Sequence, residues 1–256
     1  MKTGIYVDSE NIRLCGGYGM RYDALINLAK LDSTMLLRAN AYLAEDRERG
    51  KEDPEYRQRM YRYHHVLRQC GFRVIKKVVK HFVDDEGVVT TKANADMDLA
   101  IDALQQARNL DRVILVSGDG DFVRLVQALQ SMGCRVEVIA FRNVSQELKE
   151  AADNYLSGYL VPRLLPVTAG QDEDRQRGWP INYNTDRGFG FMRYYRLGPD
   201  GMRQESVFFH CSKALDIGID HLFSDSSQIF EFTIMKSQDE DGKVKTEAID
   251  IRHIDG

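Results

Sequence analysis

The stretch from Arg112 to Phe122 reads RVILVSGDGDF, and it decides the fold. RVILV is a short apolar run of the kind that forms a strand buried on both faces of a parallel sheet. The glycines and aspartates that follow it mark a tight loop into a helix. Asp119 and Asp121 therefore stand at the carboxyl end of a strand, which is the edge where open α/β sheets bind their ligands.

The same alternation of strand-like and helical patterns runs through residues 1–161. The strand-like runs are GIYV ending at Val7, MLLRANAYL from Met35, FRVIKKVV from Phe72, RVILVS from Arg112 and CRVEVIAF from Cys134. Helical periodicity falls at residues 22–29, 54–69, 96–109, 122–132 and 145–152. This rhythm is typical of βαβ units, so we predict a first α/β domain with five mostly parallel strands and helices on both faces.

A change of composition separates this domain from a second one. Residues 162–176 include two of the five prolines and a charged cluster, which is typical of a linker. Five strand-like runs follow within residues 177–256, and they are WPINYN, FGFMRYY, SVFFHCS, QIFEFTIMK and KTEAIDIRHI. Short antiparallel strands joined by turns, without helices between them, predict a small five-stranded β-barrel of the OB type.

Composition and charge limit the classes of function that the chain can have. The chain has 256 residues, 43% hydrophobic content and a formal net charge of −4, so it can bury a core but carries no uniformly basic coat for nucleic acid. Four cysteines without C-x-x-C spacing argue against a zinc knuckle or a disulfide scaffold and favour a reducing compartment. The chain enters a strand-like run at once and has no run of about 18 apolar residues. We therefore expect a cytoplasmic protein that does not bind membranes.

Aspartates cluster at the predicted ligand-binding edge. Asp8 follows the first strand and Asp119 the fourth, so the two meet if those strands are neighbours, and Asp96 begins a helix that packs on the sheet. Carboxylates gathered this closely repel one another unless a cation neutralises them. Magnesium binds through one or two carboxylates and substrate phosphate oxygens, which suits hydrolysis of a phosphodiester by a metal-activated water. We predict that the metal ligands are Asp8, Asp96, Asp119 and Asp121, with Asn11 orienting the substrate or a water.

A structural role is the alternative for each aspartate. Carboxylates cap helices and favour their N-terminal ends, which would explain Asp96 or Asp121 without any ligand. Asp98 and Asp102 lie one turn apart on one helix face, and Asp102 could simply face solvent. The mapping of four aspartates to a single rim favours the metal site over capping.

Three motifs, IYVDSENI, KANADMDLAIDAL and VILVSGDGDFVRLV, resemble the NYN family of PIN-like nucleases in its bacterial LabA-type branch. The resemblance implies a flavodoxin-like PIN fold, cleavage of RNA, and magnesium or manganese held by acidic residues. A homodimer through the first domain is also in keeping with the family. The residues that match the family's acidic motif are Asp8, Asn11, Asp96, Asp119 and Asp121, while Asp102 matches a recurrent helix aspartate and Asp98 a variable position.

Basic residues supply candidate phosphate contacts. The segment 47–80 is net positive within a negative chain, and Arg59 and Arg62 lie one turn apart on its predicted helix. Phosphate contacts provide most of the sequence-independent affinity for nucleic acid, although a solvated helix face explains the same charges. Lys92 precedes the acidic motif, matches a family lysine and is the candidate for a substrate phosphate near the metal.

The second domain carries a stronger binding signal. In RGFGFMRYY, Phe189 and Phe191 are two residues apart and project from one face of a strand, and in VFFHCS, Phe208 and His210 do the same. Four stackable rings on adjacent strands, with Arg187 nearby, form a platform for unpaired bases. We therefore predict that the barrel binds single-stranded nucleic acid.

Alternating aromatics can equally belong to a core, because one face of every barrel strand points inward. We expect Met192, Val207 and Phe209 to fill the interior, which leaves the other set for the surface. Gly188 and Gly190 are predicted to leave room for a base or its backbone to approach.

NYNTDRGFGFM and VFFHCS resemble the two ribonucleoprotein motifs of cold-shock domains, over roughly residues 177 to 254. The resemblance implies that the matching aromatics stack on single-stranded RNA or DNA. One position departs from the family, because Asn182 stands where a tryptophan is usual, although Trp179 lies nearby. Stacking is worth about 1–3 kcal/mol per base, so the loss of one ring weakens binding without abolishing it.

The two domains together predict a metal-dependent ribonuclease for single-stranded RNA, with magnesium or manganese as cofactor and single-stranded DNA as a further ligand of the barrel. The alternative is a non-catalytic RNA-binding regulator that keeps the acidic pocket for structure or weak ion binding. A Toprim or haloacid-dehalogenase-like phosphotransferase is a weaker interpretation, because SGDGD lacks the D-x-D-x-T nucleophile motif and the chain lacks the Toprim glutamate signature.

Overall fold

The chain forms two compact units in the computed structural model. One unit contains Met1–Tyr18 and Tyr22–Leu156, and the other contains Gly19–Arg21 and Ser157–Gly256. No helix in the described part of the chain is long and apolar enough to cross a membrane. The residues described are 1–31, 34–83, 89–92, 95–167, 175–198, 201–238 and 244–254, with the backbone alone for 80–83 and 89–92.

The first unit alternates strands with helices, as its sequence predicts. Its strands are β1 (Lys2–Asp8), β2 (Met35–Glu45), β3 (Arg73–Val78), β4 (Lys80–Val83), β5 (Val89–Lys92), β6 (Arg112–Val116), β7 (Arg135–Ala140) and β8 (Asn154–Ser157). Its helices are α1 (Ser9–Leu14), α2 (Tyr22–Ala29), α3 (Arg47–Glu52), α4 (Pro54–Gln69), α5 (Asp96–Ala107), α6 (Val123–Ser131) and α7 (Gln146–Ala151), with a 3-10 turn at Gly120–Phe122.

Six strands form one parallel sheet in the order β3-β2-β1-β6-β7-β8, which confirms the predicted fold class. The sixth strand, β8, is an addition to the five expected ones, because its four residues NYLS are too short and too polar to be recognised as a strand. The predicted run from Phe72 forms the single strand β3, and strands β4 and β5 follow it as a separate antiparallel pair.

The parallel pairing of β1 with β6 sets the position of the site. Thr3 pairs with Arg112 and Val7 with Val116, so both strands end at the same edge. The chain first builds outward from β1 through β2 to β3 and then returns to place β6 on the other side of β1. The sheet therefore has its topological switch point between β1 and β6, which is where ligands bind in folds of this kind.

The core confirms that helices cover the sheet. Tyr6 is fully buried in the centre of β1 and packs in one cluster with apolar residues of α5, α6 and α7. Its neighbours Ile5 and Val7 are equally buried and point to the opposite face by the alternation of a strand. Helices α1, α2 and α4 pack against β2 and β3. Both faces of the central strands are thus covered, as a parallel sheet requires.

The second unit contains the predicted five-stranded barrel, and it is closed. Its strands are β9 (Arg175–Asn184), β10 (Phe189–Gly198), β11 (Gly201–His210), β12 (Ile229–Gln238) and β13 (Val244–Ile254). The order around the barrel is β9-β10-β11-β13-β12 and back to β9. Every pair is antiparallel except β11 with β13, so the expectation of an entirely antiparallel barrel is wrong. The last strand is inserted between β11 and β12, which is a Greek-key closure like that of OB folds.

Aromatic side chains fill the barrel. Phe209 on β11 and Phe230 and Phe232 on β12 point inward and are fully buried. Phe223 lies in a short 3-10 segment between β11 and β12, and its ring centroid is 4.8 Å from that of Phe209 and 4.7 Å from that of Phe230. The segment that precedes β12 therefore closes part of the core, although its sequence carries no strand pattern.

A buried ion cluster holds the start of the barrel. Glu231 is fully buried on β12, and its carboxylate accepts from Arg175 Nε at 2.8 Å and from Arg177 Nε at 3.2 Å. The two arginine side chains are only 8% and 11% exposed. Arg177 also donates to the carbonyl oxygen of Pro166 at 2.6 Å. The cluster thus anchors the segment that leads into the barrel.

Glu231→Gln is expected to lower the free energy of unfolding of the barrel by about 3 kcal/mol, because it leaves two buried guanidinium groups without a counter-charge. Urea denaturation followed by tryptophan fluorescence measures this change, since the chain has a single tryptophan, Trp179, and it lies on β9. Arg196→Gln is the control, because it breaks the exposed pair of Arg196 with Glu205 and should cost less than about 0.5 kcal/mol. Equal effects of the two changes would contradict the role of the buried cluster.

Candidate functional site

Asp8 is fixed at the end of β1 by hydrogen bonds to both of its carboxylate oxygens. It is the N-cap of α1, so Oδ1 accepts from the backbone N–H of Asn11 at 3.1 Å. Oδ2 accepts from the hydroxyl of Ser117 at 3.1 Å. The residue is only 5% exposed, and its carboxylate is therefore held in one orientation at the switch point.

Asn11 and Ser117 tie the loop after β1 to the loop after β6. The Asn11 side-chain oxygen accepts from the backbone N–H of Gly118 at 2.9 Å, and the Ser117 hydroxyl accepts from the backbone N–H of Asp119 at 3.2 Å. Ser117 is fully buried, and its hydroxyl both donates and accepts. The sequence pattern does not identify Ser117 as a site residue, and its place directly after RVILV is the only local signal for it. The side-chain oxygen of Asn11 is engaged with a backbone group, and its predicted role in orienting a substrate or a water stays a prediction.

Asp119 and Asp121 follow β6 and differ in their contacts. Asp119 caps the 3-10 turn Gly120–Phe122, where its Oδ1 accepts from the backbone N–H of Asp121 at 3.0 Å. The side chain of Asp121 is exposed. Asp96 is the first residue of α5, but the N-cap position belongs to Ala95, which makes no side-chain capping bond. Capping therefore accounts for Asp8 and Asp119 and does not account for Asp96 or Asp121.

The carboxylates affect one another electrostatically. Burial, together with the charges of Asp8, Asp119 and Asp121, raises the pKa of Asp96 to about 6. Burial also raises the pKa of Asp8, and the charge of Asp119 adds to that increase, while the hydrogen bonds from Asn11 and Ser117 oppose it. The rim therefore carries more negative charge than its surroundings favour.

Three of the four rim carboxylates have no basic partner among the described residues. Within the described ranges, Asp8, Asp119 and Asp121 form no ion pair with lysine or arginine. The donor set consists of oxygens only, which suits magnesium or manganese by chemistry. No group of three or more histidine, cysteine or acidic side chains among the described residues is already arranged to hold a metal ion. The rim thus offers the charge for a cation without a preformed cage.

The two further aspartates of α5 are engaged elsewhere. Asp98 pairs with Lys77 on β3, with a distance of 2.9 Å from Nζ to Oδ2. Asp102 accepts from the hydroxyl of Tyr42 at 2.8 Å, and that hydroxyl accepts from Asn40 Nδ2 at 3.0 Å. Both carboxylates therefore have partners on strands β2 and β3.

The predicted basic residues are Arg59, Arg62 and Lys92. Arg59 and Arg62 are exposed on α4, and the Arg59 guanidinium lies 5.9 Å from the centroid of the Tyr56 ring. Lys92 ends β5, and its side chain lies outside what the structure describes. A phosphate contact at these three positions stays a prediction.

The four predicted rings of the barrel do lie together on one outer face. Phe189 pairs across the strands with His210, and Phe191 pairs with Phe208. The ring centroid of Phe208 is 5.8 Å from that of Phe189 and 6.0 Å from that of Phe191. The Phe191 side chain is 41% exposed and the other three rings are partly exposed. Arg187 is exposed in the turn before β10, and its backbone N–H donates to Asn184 Oδ1.

The opposite set of side chains fills the interior, as the alternation predicts. Met192, Val207 and Phe209 are at most 2% exposed. Gly190 is buried as well, and a Cβ there would lie 2.9 Å from the Phe209 ring, while a Cβ on Gly188 would lie 2.7 Å from a sulfur of the core. The prediction that these glycines make room for a base is wrong. They make room for the packing of the barrel, and Gly188 also adopts a positive φ of 67° that favours glycine.

A cavity of about 500 Å³ lies in the second unit between residues 159–167 and the barrel. Its basic lining residues are Arg163, Arg175, Arg177, Arg196 and Lys236. Two of these arginines are bound to buried Glu231, and a third lies 3.6 Å from Glu205. Because most of its positive charge is already paired, the cavity is explained by the ion cluster that anchors the barrel.

The fold of the first unit agrees with a comparison to known protein families. The family model for the NYN domain matches residues 2–163, which is more than half of the chain. The chain therefore belongs to the NYN-domain family, whose members are nuclease-like, RNA-related domains of the PIN-like superfamily.

One curated protein and one solved structure are similar to part of the chain. The chain is 31% identical over 110 residues to the "Low amplitude and bright protein LabA" of Synechococcus elongatus, and the match covers 42% of this chain and 58% of that protein. The chain thus spans less than two thirds of the length of this relative. A solved structure of a protein of unknown function from Vibrio parahaemolyticus is 33% identical, covers 61% of this chain and 91% of its own, and has a TM-score of 0.49.

Asp96→Asn removes a charge that its neighbours oppose. Between about pH 4 and pH 6 the native carboxyl keeps a proton that the unfolded chain releases, so the wild-type protein loses stability as the pH rises through that range. We expect the variant to gain about 1 kcal/mol of unfolding free energy near pH 7.5, after allowance for partial exposure, and almost nothing near pH 4. Urea denaturation without divalent cations at several pH values measures the difference.

Asp98→Asn is the matched control, because Asp98 lies on the same helix but attracts Lys77. Its replacement should slightly lower stability at neutral pH, which is the opposite sign. A gain for Asp96→Asn that did not vary with pH, or no gain at all, would contradict the repulsion at the rim.

Proposed function

We propose that the protein is a metal-dependent ribonuclease that hydrolyses single-stranded RNA captured by its barrel. The observation that supports this most directly is the raised pKa of Asp96, to which Asp8, Asp119 and Asp121 all contribute. Strongly perturbed carboxylates at a switch point are typical of functional sites. Membership of the NYN family supports the same class of chemistry.

The proposed ligands for magnesium or manganese are Asp8, Asp96, Asp119 and Asp121. The chemistry that such an ion supplies when bound is neutralisation of charge on a phosphodiester and acidification of water. Asn11 and Ser117 hold the carboxylate of Asp8 in place before any substrate arrives. Asp96, whose pKa is about 6, is partly protonated near neutral pH. Its carboxyl would therefore release the remaining proton when a cation binds.

The barrel is proposed to hold the RNA strand. Phe189, Phe191, Phe208 and His210 present their rings on one outer face, and every base has a π-face on which such rings can stack. Stacking needs bases that are not paired, so the barrel should prefer single strands of RNA or DNA to duplexes. In this proposal residues 177–256 bind nucleic acid, residues 1–161 cleave it, and residues 162–176 link them. A cytoplasmic location and a homodimer stay predictions.

A non-catalytic RNA-binding regulator is the second candidate. It is favoured by the finding that no group of three or more ligand side chains within the described residues is arranged to hold a metal ion. In that case the fixed carboxylates of Asp8 and Asp119 would serve as caps for α1 and for the turn after β6.

Cleavage of single-stranded RNA in the presence of Mn²⁺ separates the two candidates. We expect the wild-type protein to cleave, and we expect Asp96→Asn and Asp119→Asn to lower the rate by about a hundredfold or more. Ser117→Ala should lower it by roughly tenfold, because it acts only through Asp8 and Asp119. Gel analysis of a labelled oligonucleotide with and without Mn²⁺ measures each rate.

Asp98→Asn serves as the control in this experiment, since its carboxylate pairs with Lys77 and should leave the rate close to that of the wild type. Turnover that survives both Asp96→Asn and Asp119→Asn would refute the proposed active site. Tight RNA binding by the folded wild-type protein without any turnover would establish the regulator instead.

Phe189→Ala combined with Phe208→Ala should weaken binding of single-stranded RNA by about 30-fold or more, because each stacked base is worth about 1–3 kcal/mol. Fluorescence anisotropy of a labelled oligonucleotide measures the affinity. Ile217→Ala is the control, because Ile217 is a fully exposed apolar residue elsewhere in the same unit. Equal affinities of a folded double variant and the wild type would remove the barrel from the proposal.

A further inference from the structure

The outer face that carries the four rings continues along the barrel to a second pair of rings. On β10 the residues Phe189, Phe191, Arg193 and Tyr195 alternate with inward-facing ones, and Arg193 pairs across the strands with Trp179 of β9. Because directly paired residues share a face, Trp179 and Tyr195 lie on the same side of the sheet as the first four rings.

The burial pattern supports this placement. Met192 and Tyr194 are buried in the barrel core, and Tyr194 contacts Phe232 there with its ring edge. Pro180 is buried opposite Met192. Trp179 and Tyr195 are each next to one of these inward residues and are only partly buried, so each keeps ring surface on the outside.

The second pair is held in a fixed geometry. The ring centroids of Trp179 and Tyr195 are 5.5 Å apart and their planes are inclined by 45°. The Tyr195 hydroxyl accepts from Gln204 Nε2 at 3.0 Å, which restrains the ring. Rigid aromatic side chains bind with little loss of conformational entropy, and a fixed pair of rings is therefore suited to hold a base.

A positive charge lies between the two groups of rings. Arg193 stands opposite Ser206 on β11 and forms no ion pair among the described residues. The distance along β10 from Phe189 to Tyr195 is about 20 Å, at roughly 3.3 Å per residue. A strand of several nucleotides fits this length, since OB folds cover about 4 to 16 nucleotides. Its backbone would pass the unpaired guanidinium.

We propose that Trp179 and Tyr195 form a second base-stacking site in line with the first, with Arg193 contacting a phosphate between them, so that the barrel reads a longer single strand. The inference rests on the proposed function of the barrel in binding single-stranded nucleic acid. Trp179 does not take the place of the ring that is missing at Asn182. Asn182 lies in the irregular part of β9 between the partners of Phe189 and Phe191 and has a φ of 52°.

A packing role alone would make different predictions. Cross-strand aromatic pairs stabilise sheets without binding anything, by contact with each other. In that case replacing Trp179 would lower the stability of the barrel but would leave its affinity for oligonucleotides unchanged.

Because the chain has a single tryptophan, its fluorescence reports binding at the proposed second site. We expect an oligouridine of about eight nucleotides to quench the tryptophan fluorescence of the intact protein by roughly half, because a base stacks on the only indole. An oligouridine of about four nucleotides should bind at the Phe189 end and cause little quenching. The same oligonucleotides with deoxyribose test whether the site distinguishes DNA from RNA.

Affinity measurements with labelled oligonucleotides complete the test. Trp179→Leu and Tyr195→Leu should each weaken binding of the longer strand by about tenfold and leave binding of the shorter strand unchanged. Trp179→Phe and Tyr195→Phe keep a ring and should retain most of the affinity. They are therefore controls for the fold as well as for stacking.

The possible failures are distinguishable. Binding of the longer strand that depends on Phe189 and Phe208 but neither quenches Trp179 nor responds to the leucine variants would overturn the second site and leave the first intact. Absence of any oligonucleotide binding by the folded wild-type protein would overturn both this inference and the role of the barrel in the proposed function.

Discussion

The acidic site depends on the parallel pairing of β1 with β6. Both strands end at the same edge, so the loops that follow them come together, and the hydrogen bonds of Asn11 and Ser117 join the loops into one piece. The carboxylates of Asp8 and Asp119 are thereby fixed close to Asp96, whose pKa rises to about 6 as a result of burial and their charge. The fold maintains this repulsion because backbone N–H groups and the Ser117 hydroxyl hold the two carboxylates.

The parts of this arrangement that the sequence predicts are those with a strong local pattern. Helices at residues 22–29 and 54–69 have the predicted bounds, and the apolar run from Arg112 forms a central strand as expected. Strand β8 was missed because four residues carry too weak a pattern. Ser117 was missed because a buried serine is recognised only when its partners from another strand are known. The partners of Asp98 and Asp102 on α5 likewise cannot be predicted without the positions of Lys77 and Tyr42, which lie far away in the sequence.

The barrel shows what strand alternation can and cannot predict. A period of two separates Phe189 and Phe191 from Met192, so the inner and outer sets follow from the sequence alone. The parallel contact of β11 with β13 does not follow, because it is set by the order in which the strands close the barrel. The glycines between the aromatic residues serve this closed packing, and the rings of the outer face stand on a rigid support.

A calorimetric titration of the intact protein with Mn²⁺ at about pH 7.5 and about pH 5.5 tests the central claim most directly. If a cation relieves the repulsion at the rim, binding should be about fourfold weaker at the lower pH, should release protons, and should be largely lost in Asp96→Asn. Binding that is independent of pH and unchanged in Asp96→Asn, or no binding at either pH, would contradict the account.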